Sequence, residues 1–85
     1  MGYSVYILQS LSNGDIYVGS TRDFTHRIAL HNNGRVKSTS GYRPWRLLEV
    51  HEFKTRNEAV RAEKFYKQHQ QKEIIKRRYG LVAKQ

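Results

Sequence analysis

The chain contains no cysteine. That excludes a disulfide framework, a thiolate metal site and a cysteine nucleophile. No apolar run approaches the ~20 residues needed to cross a bilayer, and the start carries no signal-peptide pattern. A cytoplasmic protein without membrane association is therefore expected. There is one proline in 85 residues, and no repeat or low-complexity linker interrupts the chain, so a single domain over 1–85 is expected. The four histidines show no zinc spacing. There is no glycine-rich phosphate loop and no G-x-S-x-G elbow. Acidic residues are scarce, seven against sixteen Lys and Arg, giving a net charge of +9 and a pI near 10.2. A small domain this basic most often meets a polyanion. No segment reads as a basic amphipathic helix with a broad apolar face, so nucleic acid is favoured over an anionic membrane.

The informative stretch runs from Ser4 to His31. Residues 4–9, S-V-Y-I-L-Q, are apolar nearly throughout and read as a strand covered on both faces. Residues 15–19, D-I-Y-V-G, read as its partner. Asn13-Gly14 between them is a strong hairpin signal, because both central residues of a type I′ turn need positive φ. A two-residue loop makes cross-strand partners sum to 27, and Tyr6 and Tyr17 then project from one face. Asp23 is a plausible N-cap and Asn33-Gly34 a plausible stop for a helix over 24–32. Phe24, Arg27, Ile28 and His31 share one face of it. An arginine on that stripe either snorkels or is paired with something polar.

Residues 33–44 form a long polar loop. With Arg22 just before the helix, its Arg35, Lys37, Ser38, Thr39 and Arg43 are candidate phosphate contacts. A third strand is expected over 45–53, with Leu47, Leu48 and Val50 as core candidates and Trp45 either packed or open for stacking. Thr55 and Glu58 spell a capping box for a helix over 56–70. Ala59, Ala62, Glu63 and Tyr66 fall on one face of it, so Glu63 is either a structural ion-pair partner or a metal ligand. A short third helix is expected over 72–78, docked by Ile74, Ile75 and Tyr79.

Five polar groups are thus turned inward: Tyr6, Tyr17, Arg27, His31 and Glu63. Together they suit attack on a phosphodiester. A carboxylate can hold Mg²⁺ (or Mn²⁺), an arginine can neutralise phosphate charge, and a tyrosine or histidine can orient water or take its proton. A nucleic-acid-binding domain without efficient catalysis, for DNA or RNA, and a module active only with a protein partner are the alternatives.

The same residues resemble a known family. Ser4-Val5-Tyr6 and Tyr17-Val18-Gly19 match the paired motifs of the GIY-YIG nuclease superfamily. Arg27 follows ten residues after Tyr17, and His31 one helical turn later. The segments S-T-S-G-Y-R-P-W and E-A-V-R-A-E-K-F-Y-K are similar to its small stand-alone branch, akin to the N-terminal nuclease domain of the bacterial excision-repair C subunit. The likeness covers roughly residues 4–79. It implies an α+β fold, a three-stranded, mainly antiparallel sheet flanked by helices. It implies that Tyr6 and Tyr17 line the site, with Tyr17 the favoured base or water-orienting group and His31 in support. It further implies Arg27 on the phosphate, Glu63 on a single divalent metal, and a cut DNA strand as product. A Mg²⁺-dependent, structure-selective DNA endonuclease of repair or recombination is the leading expectation. Three departures stand out. Ser4 replaces a common glycine, Ser20 stands where the repair nucleases carry lysine, and no asparagine follows Asn57. Family members usually borrow targeting from a further domain, so substrate choice is open and a protein partner for targeting is a possible requirement.

Overall fold

The computed structural model describes residues 2–80. The elements are β1 (Tyr3–Ser10), β2 (Ile16–Thr21), α1 (Phe24–Asn32), a 3₁₀ turn (Ser40–Tyr42), β3 (Trp45–Phe53), α2 (Arg56–Tyr66) and α3 (His69–Arg78). The sheet has the order β2-β1-β3 and both pairings are antiparallel. This is the expected α+β class. Strand β1 is central and is buried from Ser4 to Ser10, as its near-continuous apolar run requires.

The hairpin departs from the expected one. Partners sum to 25, as in Ile7 with Val18, so the loop is residues 11–14. Only Gly14 has positive φ, at 81°. The Ser10 hydroxyl oxygen accepts from the backbone N–H groups of Ser12 and Asn13. A side chain thus closes a wider turn that a type I′ reading leaves out. The register moved by two residues, an even number, so Tyr6 and Tyr17 still share a face.

Strand β3 carries a bulge. Ile7 opposes Glu49 while Leu8 opposes Leu47, which leaves Leu48 as the extra residue. Residues N-terminal to it change face. Trp45 is thereby buried with Tyr6 and Leu8, whereas strict alternation from Glu49 would have turned it to the opposite layer. The same shift leaves Leu47 40% exposed, against its expected core role.

Two apolar layers result. On one side Val5, Ile7, Ile16 and Val18 pack with Ala59 of α2 and Ile75 of α3. On the other, Tyr6, Leu8 and Trp45 pack with Tyr17, Val50 and Ile28 of α1. Helix α1 has the expected bounds, and the Asp23 side chain accepts from His26 N–H as its cap. Helix α2 begins with the expected capping box but ends at Tyr66 rather than near 70. Residues 67–71 offer no apolar side chain to hold another turn on the sheet. The backbone extends at Gln68 (ψ 141°) before α3 starts, and the redirected helix buries Ile75 while leaving Ile74 exposed. Among the described residues no helix is long and apolar enough to cross a membrane.

Candidate active site

The site forms where α1 lies over β1 and β2. Tyr6 projects from the central strand, opposite Gly19 on β2. That glycine is needed for space, because a Cβ there would stand 2.4 Å from the Tyr6 hydroxyl oxygen. One turn of α1 separates Arg27 from His31, so both reach the same phenol. Arg27 Nε donates to Tyr6 Oη at 3.4 Å. Tyr6 Oη and His31 Nε2 are 2.9 Å apart. His31 is fully buried, and its Nδ1 lies 2.7 Å from Thr39 Oγ1. The Tyr17 ring packs edge-on against His31, with centroids 4.8 Å apart, and against Trp45 at 6.1 Å.

The electrostatics follow from burial. Tyr6 is pushed up to about 12, first by desolvation and then by Tyr17, against the lowering effect of Arg27. Its phenol is neutral at physiological pH. Burial lowers His31, and the neighbouring Arg27 charge lowers it further, so its imidazole is neutral too. The hydrogen bond to Tyr6 raises Arg27, which keeps its charge. The cluster therefore holds one fixed cation beside two neutral groups able to exchange a proton.

Glu63 stands across β2 on α2. Its Oε1 accepts from the Ser20 hydroxyl at 2.7 Å, and its Oε2 pairs with Lys67 Nζ at 2.8 Å. Burial opposes its ionisation, but Lys67 and Ser20 together outweigh it and hold the carboxyl below the ordinary range. Ser20 adjoins Gly19, over which the Tyr6 hydroxyl sits. The carboxylate and the phenol thus lie against consecutive residues of β2, on opposite faces of the sheet. A cleft of about 300 Å³ opens beside Glu63, walled by Arg22, Arg56 and Tyr3. The Arg22 guanidinium stands 5.3 Å over the Tyr3 ring.

The donor set suits a hydrated hard cation. Mg²⁺ commonly takes one or two carboxylates and keeps several waters. Among the described residues no group of three His, Cys, Asp or Glu side chains forms a dehydrated cage. Glu63, with the Ser20 hydroxyl beside it, is a residue that could hold such an ion, and Lys67 pairs with the same carboxylate.

Tyr6, Tyr17, Arg27 and His31 therefore meet on the α1 side of the sheet, whereas Glu63 is bonded to Ser20 and Lys67 on the α2 side and is not brought into that cluster. His31 hydrogen-bonds Tyr6 and meets Tyr17 through an edge-on ring contact. Of the expected phosphate contacts, Arg22, Arg35, Lys37, Ser38 and Arg43 are exposed. Arg43 is held by its own bond to the Ser40 carbonyl. Thr39 is 1% exposed and bonded to His31, so it is not available to phosphate. Sequence reasoning missed Asn32, whose side chain bonds both backbone groups of Trp45. It also missed Lys67, although its i,i+4 spacing from Glu63 was a readable signal.

Comparison with known proteins agrees with this geometry. The family model of the GIY-YIG catalytic domain matches residues 2–79. A UPF0213 protein of Streptococcus agalactiae is 38% identical over 65 residues, which cover 75% of this chain and 73% of that one. The structure-specific endonuclease subunit SLX1 of Homo sapiens is 39% identical over 66 residues, 72% of this chain but 24% of that protein. The solution NMR structure of a UPF0213 protein from Bacillus halodurans superposes with a TM-score of 0.56 at 36% identity, covering 88% of this chain and 82% of its own. Two strands bring the motif tyrosines to one face and α1 sets an arginine and a histidine over them; with the family match running nearly end to end, the chain belongs to the GIY-YIG nuclease superfamily.

Proposed function

We propose that this protein is a divalent-metal-dependent DNA endonuclease that hydrolyses phosphodiester bonds at structural features of DNA, in repair or recombination. The observation that carries the reading is the convergence of Arg27, Tyr6 and His31 in one bonded cluster. A permanently charged guanidinium beside a neutral tyrosine–histidine pair is a fitting seat for a phosphate under attack. Arg27 neutralises the charge that builds on the phosphate oxygens. Tyr6 and His31 orient the attacking water and offer its proton a route inward. Tyr17, half-buried against His31 and Trp45, walls the site. Glu63 is the carboxylate that would hold Mg²⁺ or Mn²⁺, which would supply Lewis-acid stabilisation to the phosphate. Arg22, Arg35, Lys37, Ser38 and Arg43 track the flanking backbone, and each phosphate contact adds about 0.9 to the log–log salt slope on duplex DNA. Structure selectivity is proposed because one relative is named a structure-specific endonuclease subunit. The word subunit, with Lys67 seated on Glu63, also favours a second reading, in which a partner or the substrate itself switches activity on.

The test is cleavage of labelled duplex, single-stranded, flapped and branched DNA with Mg²⁺, Mn²⁺ or chelator, beside folded Glu63→Ala and Arg27→Ala. Metal-dependent cuts on branched or flapped DNA, lost in both variants, are expected. Binding without cutting under every metal would refute autonomous catalysis and leave the partner-dependent reading.

A further inference from the structure

The cleft beside Glu63 gathers charges that the cluster on the α1 side does not use. Tyr3, Arg22, Arg56, Ala59 and Glu63 are among its walls. Tyr3 packs on the apolar layer under α2 and α3, and the Arg22 guanidinium lies 5.3 Å over its ring. Arg22 is thereby turned to the α2 side, away from Arg27. Among the described residues neither Arg22 nor Arg56 pairs with a carboxylate. Glu63 is the one acidic side chain lining the cleft, and Lys67 already balances it. Two guanidinium charges therefore stand uncompensated in one concavity. Like charges held in a cleft repel one another, and its low-dielectric walls concentrate anions of the opposite sign. The planar fork of arginine suits phosphate, and flat contact with Tyr3 pre-orients that of Arg22.

This cleft and the Arg27 cluster lie on opposite faces of the sheet. Tyr6 and Ile28 belong to the α1 face, Tyr3 and Ala59 to the α2 face. Both border β2, since the Tyr6 hydroxyl sits over Gly19 and Glu63 is bonded to Ser20. Strand β2 is an edge of the sheet. The way from one face to the other therefore runs round that open edge, past the exposed Ser20. A DNA strand touching both faces must double back over a single β-strand. Duplex DNA, with a persistence length of about 150 bp, resists so tight a turn. An unpaired strand makes it freely.

We infer that Arg22 and Arg56 form a second phosphate seat, on the α2 face, which takes a backbone phosphate of an unpaired DNA strand wrapped round the β2 edge from the Arg27 cluster. The inference rests on the nuclease reading for the strand at Arg27, and it names the feature of DNA that this site selects: a segment free to bend, as in a flap or a single strand. The seat itself is a binding property and needs no cutting to be seen.

The experiment is fluorescence anisotropy of labelled single-stranded, flapped and fully paired DNA over a range of salt, with chelator present so that nothing is cut. Wild type is compared with the double variant Arg22→Ala/Arg56→Ala. Arg61→Ala/Lys64→Ala is the charge-matched control, because both side chains are exposed on α2 and neither lines the cleft. One phosphate contact on a single strand contributes about 0.7 to the log–log salt slope, which amounts to about fivefold in affinity at 0.1 M salt against a 1 M reference. The cleft variant is expected to lower the slope by about 0.7 and the affinity about fivefold on single-stranded and flapped DNA. Fully paired DNA should change by less than about twofold, and the control variant should leave single-stranded binding within the same margin. Unchanged slopes on every DNA would overturn the seat. An equal loss on paired DNA would overturn the wrapped strand, and an equal loss in the control would reduce the effect to net charge and overturn the inference. If wild type cuts no DNA under any metal while the slopes fall as expected, the nuclease reading fails and the seat stands.

Discussion

Gly19→Ala is the sharpest perturbation of the site. An added Cβ would lie 2.4 Å from Tyr6 Oη, 2.5 Å from its Cζ and 3.0 Å from Tyr17 Cε2. Ordinary carbon contacts begin near 3.4 Å, so the phenol must retreat by about 1 Å. It has nowhere to go, being 1% exposed and bonded to His31 at 2.9 Å. A displacement of that size takes this bond beyond the usual hydrogen-bond range. The φ of Gly19 is not positive, so the penalty is steric rather than conformational. Overpacking of this kind costs about 1–3 kcal/mol, and a misplacement of about 1 Å in a reacting group slows catalysis about 10²-fold. Urea unfolding and single-turnover cleavage read the two effects. A second background isolates the cause. With Tyr6→Leu the two worst overlaps are gone and only the 3.0 Å contact with Tyr17 Cε2 remains, so Gly19→Ala should there cost clearly less, with a coupling energy of about 1–3 kcal/mol. An equal cost in both backgrounds would refute the idea that Gly19 exists to admit the phenol.

Other outcomes follow from the charges. Lys67→Met should tighten Mn²⁺ binding, measured calorimetrically, about two- to fivefold, because it removes a competing, largely exposed ion pair worth ~0.2–1 kcal/mol; unchanged affinity would mean that Lys67 does not occupy the metal's place. Glu49 accepts from His51, Tyr79 and Arg78; burial opposes its ionisation, but these partners together hold it below its ordinary value of 4.5. A depressed carboxyl contributes stability that is present above the unfolded value and drains away as pH falls through the folded one. Urea midpoints should therefore fall as pH drops below 4.5, and less steeply in Glu49→Gln; parallel curves would count against the cluster. Tyr6 runs the other way, since its phenolate is disfavoured in the fold. Stability should hold below pH 10 and fall between 10 and about 12, and Tyr6→Phe should remove part of that fall.

Much of this arrangement was legible because it obeys local periodicity. The 3.6-residue repeat put Arg27 and His31 on one face, and alternation along β1 and β2 did the same for the tyrosines. The hairpin register was missed, yet an error of two residues is invisible to facing. The capping box marked the start of α2, but nothing local marked its end, because the break at Gln68 reflects where Ile75 can dock. Thr39 was the chief misreading. In S-T-S three hydroxyls look alike, and an irregular loop has no period to say which one turns inward. Its orientation comes from Trp45 and His31, each anchored by a different element. Leu47 failed for a related reason, since alternation cannot foresee a bulge.

That extra residue at Leu48 makes the site depend on a count as much as on chemistry. The five residues from Trp45 to Glu49 span one position more than their partners on β1. Remove one of them and the frame closes up. The indole would then swing through the sheet to the far side, and Tyr17 would lose its wall, Thr39 its tether and Asn32 its backbone partner, although no catalytic side chain had been touched. A residue added to or taken from the turn at 11–14 carries no such penalty. Tolerance to insertion and deletion is therefore expected to differ sharply between two segments only some thirty positions apart, the open turn absorbing changes of length and the start of β3 refusing them.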